Sequence, residues 1–344
     1  MPLQEPGWWY GEGRHWQTTV LGPIASAYGR IAEIRYRRAT PYRSRLPVLC
    51  VGNFTAGGTG KTPLALAFAE IVRTFGREPW FLSRGYGGRL DGQEKVNPER
   101  HTTTEVGDEP LLLARIAPTV ISQNRRLGAE FIERLAPANA VIIMDDGLQN
   151  AGLFKDLSIA VVDGARGLGN GLVIPAGPLR APLDFQAALA GAILVMGPES
   201  ETTGKQIAGL SPPFAGPVLR ARVTHRGADA WYTGKSVVAY AGIANPARFF
   251  DMLDHLGARV AERVTFPDHH IFSEADAGRL LAAAAQHKAE LVTTEKDFVR
   301  LGGLSGTREE LRQKSRAIPI ALRLDDASRE ALFDLIDAAL GLMR

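Results

Sequence analysis

The chain has 344 residues, 45% apolar and 22% charged, with a net charge of +3 at neutral pH. Those fractions exclude wholesale disorder, and the length predicts two domains. The charge excess is too small to point to nucleic acid, so no nucleic-acid partner is expected. The single cysteine, Cys50, excludes an internal disulfide framework and fits a reducing compartment.

In chain order, the first residues, MPLQEPGWWYGEGRHW, lack a basic start followed by an apolar core, so no secretory signal is expected. No stretch reaches the roughly 18 apolar residues of a spanning helix. In residues 15–45, Ile24, Tyr28, Ile31 and Ile34 recur at helical spacing beside Arg30, Arg35, Arg37, Arg38, Arg43 and Arg45. This pattern suits a helix lying on an anionic membrane surface, and equally a helix packed on the protein body with a solvated basic end.

Strand and helix signals then alternate. Pro47–Val51, Trp80–Ser83, Thr119–Ser122, Ala140–Met144, Ile159–Val162 and Ala192–Met196 are predicted strands. Thr62–Phe75, Pro110–Ile116 and Arg126–Leu135 are predicted helices. Cys50, inside an apolar run, is a predicted buried strand residue. The pattern implies an α/β protein with a parallel sheet covered by helices on both faces. Pro212–Arg226 is punctuated by Pro and Gly and predicts a linker or crossing strands. Alternation resumes with strands at Val237–Tyr240, Val264–Phe266, Leu291–Thr293 and Ile318–Leu322, and helices at Ala247–Leu256, Glu274–His287 and Ser328–Leu340. The expected organisation is an N-terminal helical segment (1–45), a main domain (46–215) and a second, smaller α/β domain (216–344).

Between the first strand and helix lies VGNFTAGGTGKTP, residues 51–63. Gly57, Gly58 and Gly60, with Ala56 and Thr59, let backbone N–H groups converge on an anion at the start of a helix. Lys61 would reach the β- and γ-phosphates of a nucleotide and the Thr62 hydroxyl would ligate Mg²⁺. The usual loop pattern carries glycine where this chain has Thr55. A phosphate loop needs an acidic partner on a neighbouring strand, and Asp145-Asp146 ends the Ala140–Met144 run. A pair of turn aspartates before Gly147 would look the same.

Three further stretches stand out. In GDEP, Asp108 is either a helix N-cap or a base for a substrate hydroxyl, with Glu109 beside it. In SRGYGG, Arg84 and Tyr86 sit among glycines at a strand end, as in a ligand-facing loop or a simple turn. In FPDHHIF, two histidines beside Asp268 lack the further ligands of a zinc site, which leaves a surface loop or a histidine tuned by a carboxylate.

Together, VGNFTAGGTGKTP, SRGYGG, GDEP, ISQNRR, IIMDDGLQN, VVDGARGLGNGLVIPAGPLR, AYAGIANPARFF, FPDHHIF and TTEKD resemble, in order, the tetraacyldisaccharide 4′-kinase family of lipid A synthesis. The resemblance covers most of the chain. In that family the loop also carries Thr or Ser at the position of Thr55. The resemblance implies a P-loop kinase fold, ATP and Mg²⁺, and transfer of the γ-phosphate to the 4′-hydroxyl of a tetraacylated disaccharide 1-phosphate. It implies residence on the cytoplasmic face of a Gram-negative inner membrane. It implies that residues 55–62 bind nucleotide, that Thr62, Asp145 and Asp146 serve the metal, and that Asp108 acts as base in a dyad with His269. Glu109, Arg125 and Arg180 become candidate nucleotide or substrate contacts. Because such a substrate stays in the bilayer, residues 15–45 are then expected to drive association with an anionic membrane.

Two rivals remain open on the residues alone: a nucleotide-driven partner protein that phosphorylates nothing, and a P-loop kinase of a small soluble substrate. A guanine-reading Asn/Thr-Lys-x-Asp motif is absent, since Lys296 and Asp297 are adjacent in Thr294-Glu295-Lys296-Asp297.

Overall fold

The computed structural model describes residues 5–11, 13, 15–227 and 231–341. A 3₁₀ turn at Gly7–Trp9 precedes the long helix α1 (Trp16–Arg38). Then come β1 (Val48–Asn53), α2 (Lys61–Thr74), β2 (Glu78–Ser83), β3 (Glu94–Lys95), α3 (Thr103–Val106) and α4 (Asp108–Ala114). They are followed by β4 (Thr119–Ile121), α5 (Arg125–Leu135), β5 (Ala140–Asp145), β6 (Leu157–Asp163), α6 (Leu183–Ala187), β7 (Ala192–Met196), α7 (Glu201–Ala208) and β8 (Val218–His225). The next part holds β9 (Ser236–Ala241), α8 (Pro246–His255), β10 (Arg259–Thr265), α9 (Glu274–His287), β11 (Glu290–Thr294), α10 (Glu295–Arg300), α11 (Thr307–Lys314) and β12 (Ser315–Ile318). After it come β13 (Ile320–Leu324) and α12 (Asp326–Leu340).

Among the described residues, nine strands form one sheet in the order β13-β8-β7-β6-β1-β5-β2-β4-β3, and four form a second in the order β10-β9-β11-β12. The central strands of the large sheet pair in parallel and are buried along their whole length, which is why β1, β5, β6 and β7 read as continuous apolar runs. Helices α2 and α12 pack Leu64, Phe68, Leu332 and Ile336 on one face. The other face is covered around α5 by Ala129 and Ile132 and around α6 by Ala187. Cys50 lies inside β1, where burial pushes its thiol up to about 11. Chain order reverses beside β1: β5 and β2 lie to one side, β6 and β7 to the other. Ligands in such sheets bind at this switch, beyond the strand carboxyl ends.

The domain boundary expected at residue 216 needs correction. Strand β8 pairs in parallel with β7 of the large sheet, and β13 returns to pair antiparallel with β8. The single strand expected over Ile318–Leu322 is two strands in different sheets, with Pro319 between them. Pro319 has no N–H to give to a ladder, so the chain leaves one sheet and enters the other there. Helix α12 then packs on the large core. The smaller unit is therefore an insertion, residues 236–318, and not the whole of 216–344.

Helix α1 sits on the large unit through its small residues. Ala25 and Gly29 are its buried positions, and a Cβ on Gly29 would lie 3.2 Å from the Pro182 ring. Tyr36 packs edge-on against Phe185. The opposite face carries Trp16, Val20, Ile24, Tyr28, Ile31 and Ile34, all exposed, with Trp16 at 72%. No helix among the described residues is long and apolar enough to cross a membrane.

Candidate active site

The loop after β1 enters its turn as extended chain. Thr55 makes an antiparallel bridge to Leu179, the Ala56 N–H donates to Pro178 O (2.8 Å), and the Arg180 N–H donates to Phe54 O (2.9 Å). A β-branched residue suits that paired, buried conformation, so the position needs no glycine. Thr55 O also accepts Asn53 Nδ2 (2.6 Å) and Arg180 Nε (3.1 Å). The tight turn comes at the other end: Gly60, at φ 88°, caps α2, and Lys61 and Thr62 open that helix, both buried. This region is the conformation that L side chains avoid.

The acidic pair sits where the register demands. Val51 of β1 is opposite Asp145 of β5, so the carboxylates emerge beside the loop. The two aspartates differ. Asp146, at φ 53°, accepts both terminal nitrogens of Arg180 (2.7 and 3.0 Å) and lies 3.7 Å from Lys61 Nζ. Burial pushes its carboxyl up, but the Lys61 and Arg180 charges outweigh that and hold it well below the usual range. Asp145 is buried with no hydrogen-bond partner on either oxygen. Burial, reinforced by the Glu109 and Asp146 charges, pushes it up to about 7. An orphaned buried carboxylate is costly and calls for a partner. Asp145 and the Thr62 hydroxyl are hard oxygen donors that suit Mg²⁺, which usually takes one or two carboxylates and completes its shell with phosphate and water. No cluster of three His, Cys, Asp or Glu side chains converges among the described residues. Arg125 opens α5, buried, with Nη1 donating to Ser122 O (2.5 Å).

A second group assembles at the seam between the two units. Gly107, and not Asp108, takes the cap position of α4, at φ 90°; a Cβ there would lie 2.4 Å from Tyr86 O. Asp108 is therefore the first helical residue, its side chain free of capping duty beyond accepting the Glu109 N–H (2.9 Å). Its Oδ2 faces His269 Nδ1 at 3.1 Å, across 161 positions of sequence. His269 stands at φ 58°, with Tyr86 edge-on at 5.8 Å. His270 turns away: it stacks on Phe266 and pairs with Asp276 at 3.0 Å. Of the two adjacent histidines, His269 is the one that meets Asp108. Arg84 and Tyr86 are exposed on the loop above, and of the two the Tyr86 ring is the one that meets His269.

Two residues of the seam escaped the sequence reading. Arg300 donates to Asp108 Oδ2 through Nε (2.8 Å) and Nη2, and Lys296 pairs with Glu109 at 2.7 Å. Both lie on α10, four positions apart, hence on one face. The Lys296 charge, working against burial, holds Glu109 below its ordinary value. The signal present in the sequence was a Lys-x-x-x-Arg spacing that begins inside TTEKD, just after the strand ending at Thr294.

The sequence profile of the family described as Tetraacyldisaccharide-1-P 4′-kinase matches residues 17–340. A tetraacyldisaccharide 4′-kinase from Methylorubrum extorquens is 46% identical over 332 residues, 95% of this chain and 96% of that protein. One from Rhizobium meliloti is 44% identical over 345 residues, covering 100% of this chain and 97% of that protein. In fold, the chain is similar to the crystal structure of LpxK from Aquifex aeolicus in complex with ATP, with a TM-score of 0.72, 24% identity, and 94% of this chain and 99% of that one covered.

Proposed function

The chain belongs to the tetraacyldisaccharide-1-phosphate 4′-kinase family, and we propose that it moves the γ-phosphate of ATP onto the 4′-hydroxyl of tetraacyldisaccharide 1-phosphate. It is a phosphotransferase. The observation that carries the site assignment is the convergence of the Gly57–Thr62 loop with the unpartnered Asp145. Lys61 and the Gly57–Thr62 amides bind the phosphates, and Arg180 and Arg125 add positive charge where the transferred group gains negative charge. Thr62 and Asp145 would hold Mg²⁺, with Asp146 fixing Lys61 and Arg180 around them. Held there, the ion would supply neutralising charge to the nucleotide phosphates. Asp108 and His269 handle the proton of the acceptor hydroxyl.

The acceptor carries four acyl chains, and α1 supplies the surface to meet it. Its outward apolar stripe is flanked by the exposed Arg30, Arg35, Arg37 and Arg38, and Glu33 is its only acid. Apolar burial plus attraction to anionic lipid headgroups binds such a helix flat on a membrane. The reading therefore includes the cytoplasmic face of a Gram-negative inner membrane as the place of work.

The test incubates γ-labelled ATP with the chain, with and without the lipid disaccharide and Mg²⁺. Label on the lipid, dependent on both, is expected. Label released only to water sinks the kinase reading in favour of a partner ATPase, and label on small sugars but not on the lipid favours a soluble substrate. For the membrane, Ile24→Asp with Ile31→Asp should abolish cosedimentation with anionic vesicles while ATP binding persists; unchanged cosedimentation removes α1 from the account.

A further inference from the structure

Arg300 has no counterpart among the roles just given, yet it is the most heavily engaged side chain at the seam. It is 5% exposed, as is Asp108. Nε and Nη2 both point to Asp108 Oδ2, while Nη1 donates to Asp297 Oδ1 (2.8 Å) and Gly242 O (2.5 Å). Gly242 O is also the acceptor of the His269 backbone N–H (3.2 Å), and the Gly242 N–H is held by both oxygens of Asp297 (3.1 Å each). One guanidinium thus fixes the carboxylate of Asp108 from α4 and shares a carbonyl with the backbone of His269 from the smaller unit. Its planar fork permits this; a lysine has no equivalent geometry.

The consequence is a division of labour inside the pair. The Asp108 oxygen that meets His269 already receives two donors from Arg300, and a carboxylate held by an arginine is a poor proton acceptor. An imidazole that gives its Nδ1–H to a carboxylate presents the Nε2 lone pair outward. His269 Nε2 is the freer end: the side chain is 33% exposed, with Asp268 Oδ2 at 3.8 Å. We propose that Arg300 is a positioning residue of the transfer step, its fork fixing Asp108 and, through Gly242 O, the backbone of His269 in the geometry the proton-handling pair needs. This rests on the reading of Asp108 and His269 as the proton-handling pair. In the step, the hydroxyl oxygen bonds to the γ-phosphorus, the bond from that phosphorus to the β–γ bridging oxygen breaks, ADP leaves with the electron pair, and the hydroxyl proton passes to the pair.

Electrostatics agree in direction. Burial pushes Asp108 up, but the His269 hydrogen bond and the charges of Arg300 and Lys296 hold it far below its ordinary value. His269 is raised, first by its hydrogen bond to Asp108, then by the charges of Asp108 and Asp268, against burial and the Arg300 charge. The groups facing the pair are Glu109 from α4, Lys296 and Arg300 from α10, Asp268 from its own loop and Tyr86 from the loop after β2. Removing Arg300 takes away the cation that lowers His269, so the acidic limb of kcat moves to higher pH.

The experiment compares Arg300→Gln, Arg300→Lys, Asp108→Asn and His269→Gln by kcat, KM for ATP and pH profile, with folding followed by thermal melting. Arg300→Gln should lower kcat on the order of ten- to a hundred-fold, the orientation-dependent part of a base's contribution. KM for ATP should hold and the acidic limb should shift upward. Arg300→Lys, which keeps charge and loses the fork, should lower kcat with the limb near its native position. In a His269→Gln background, Arg300→Gln should add no further loss, because residues acting as a unit are not additive. Native kcat and pH profile in Arg300→Gln overturn the proposal, as does native kcat in Arg300→Lys if the glutamine variant does not fold. Failure of both to fold also overturns it, assigning Arg300 to stability alone. If Asp108→Asn and His269→Gln themselves retain turnover, it is the underlying pair that fails.

Discussion

The phosphate loop and the interdomain seam solve the same problem, holding charge in place, by opposite means. The loop is written in consecutive residues: a strand ending at Asn53, a bridged Thr55, a turn at Gly60, and Lys61 and Thr62 on the first helical turn. Its anion site is largely backbone, so it survives changes elsewhere. The seam is made of side chains far apart in sequence. Asp108 meets His269 161 positions on and Arg300 192 positions on. It exists only while the two units are docked through α4 and α10, with Val299 seated against Leu111 and Leu112. On the proposed reading, nucleotide binding needs the loop alone, whereas proton handling needs the two units docked.

The strongest way to break this comparison is to disable the seam while sparing the loop. His269→Ala should reduce kcat by about 10²–10⁴-fold with ATP affinity intact. The native pH profile adds a sign. His269 accepts a proton only when neutral, and its value is raised above the ordinary 6.5, so turnover is full at high pH and falls as pH drops through that raised value. The alanine variant should lose this limb. A kcat loss matched by loss of ATP binding would mean that the two regions are one site.

How far each region was legible follows from the same difference. The alternation of strand and helix, the Gly57–Thr62 cradle and the acid pair at the end of β5 are local patterns that the sequence displays directly. The unequal fates of Asp145 and Asp146 were not legible, because they depend on Arg180 arriving from the loop bridged to Thr55. The role of α10 was hidden for the same reason: nothing near Arg300 in sequence indicates that Asp108 will lie beside it. Nor does composition reveal that β13 rejoins the large sheet, since Ile318 and Ile320 look like one strand until Pro319 divides them between two ladders.

Lys61→Ala tests the loop from the other side. It removes the donor that the phosphates need and leaves Asp146 to Arg180 alone, so turnover should fall about 10²–10³-fold, the usual cost of one preorganised charge-stabilising donor. The thermal midpoint should barely move, because Asp146 keeps its two contacts with Arg180. A large fall in midpoint would make Lys61 structural.

Smaller effects sharpen the seam. Lys296→Met leaves the Glu109 carboxylate without its cation at a largely covered position, and should destabilise the protein by about 1–3 kcal/mol. The double variant with Glu109→Gln should recover part of that, since a neutral pair needs no compensation. Thermal melts of the single and double variants measure this; no recovery would mean that Lys296 acts through other groups.

The smallest expected effect separates two arginines on α1. Each basic residue near an anionic surface adds about 1 kcal/mol of binding, or about five-fold in partitioning. Arg37 shares its charge with Glu33 at 2.7 Å, whereas Arg35 has no ion pair among the described residues. Arg35→Gln should therefore weaken binding to anionic vesicles about five-fold, and Arg37→Gln by less, because the Arg37 guanidinium is turned to Glu33 and the Phe185 ring of the protein body. Raising the ionic strength should shrink the difference, since the Debye length falls from about 10 Å at 0.1 M salt to about 3 Å at 1 M. If both substitutions leave partitioning unchanged at low salt, the apolar stripe alone holds the helix to the membrane and the arginines are solvated bystanders.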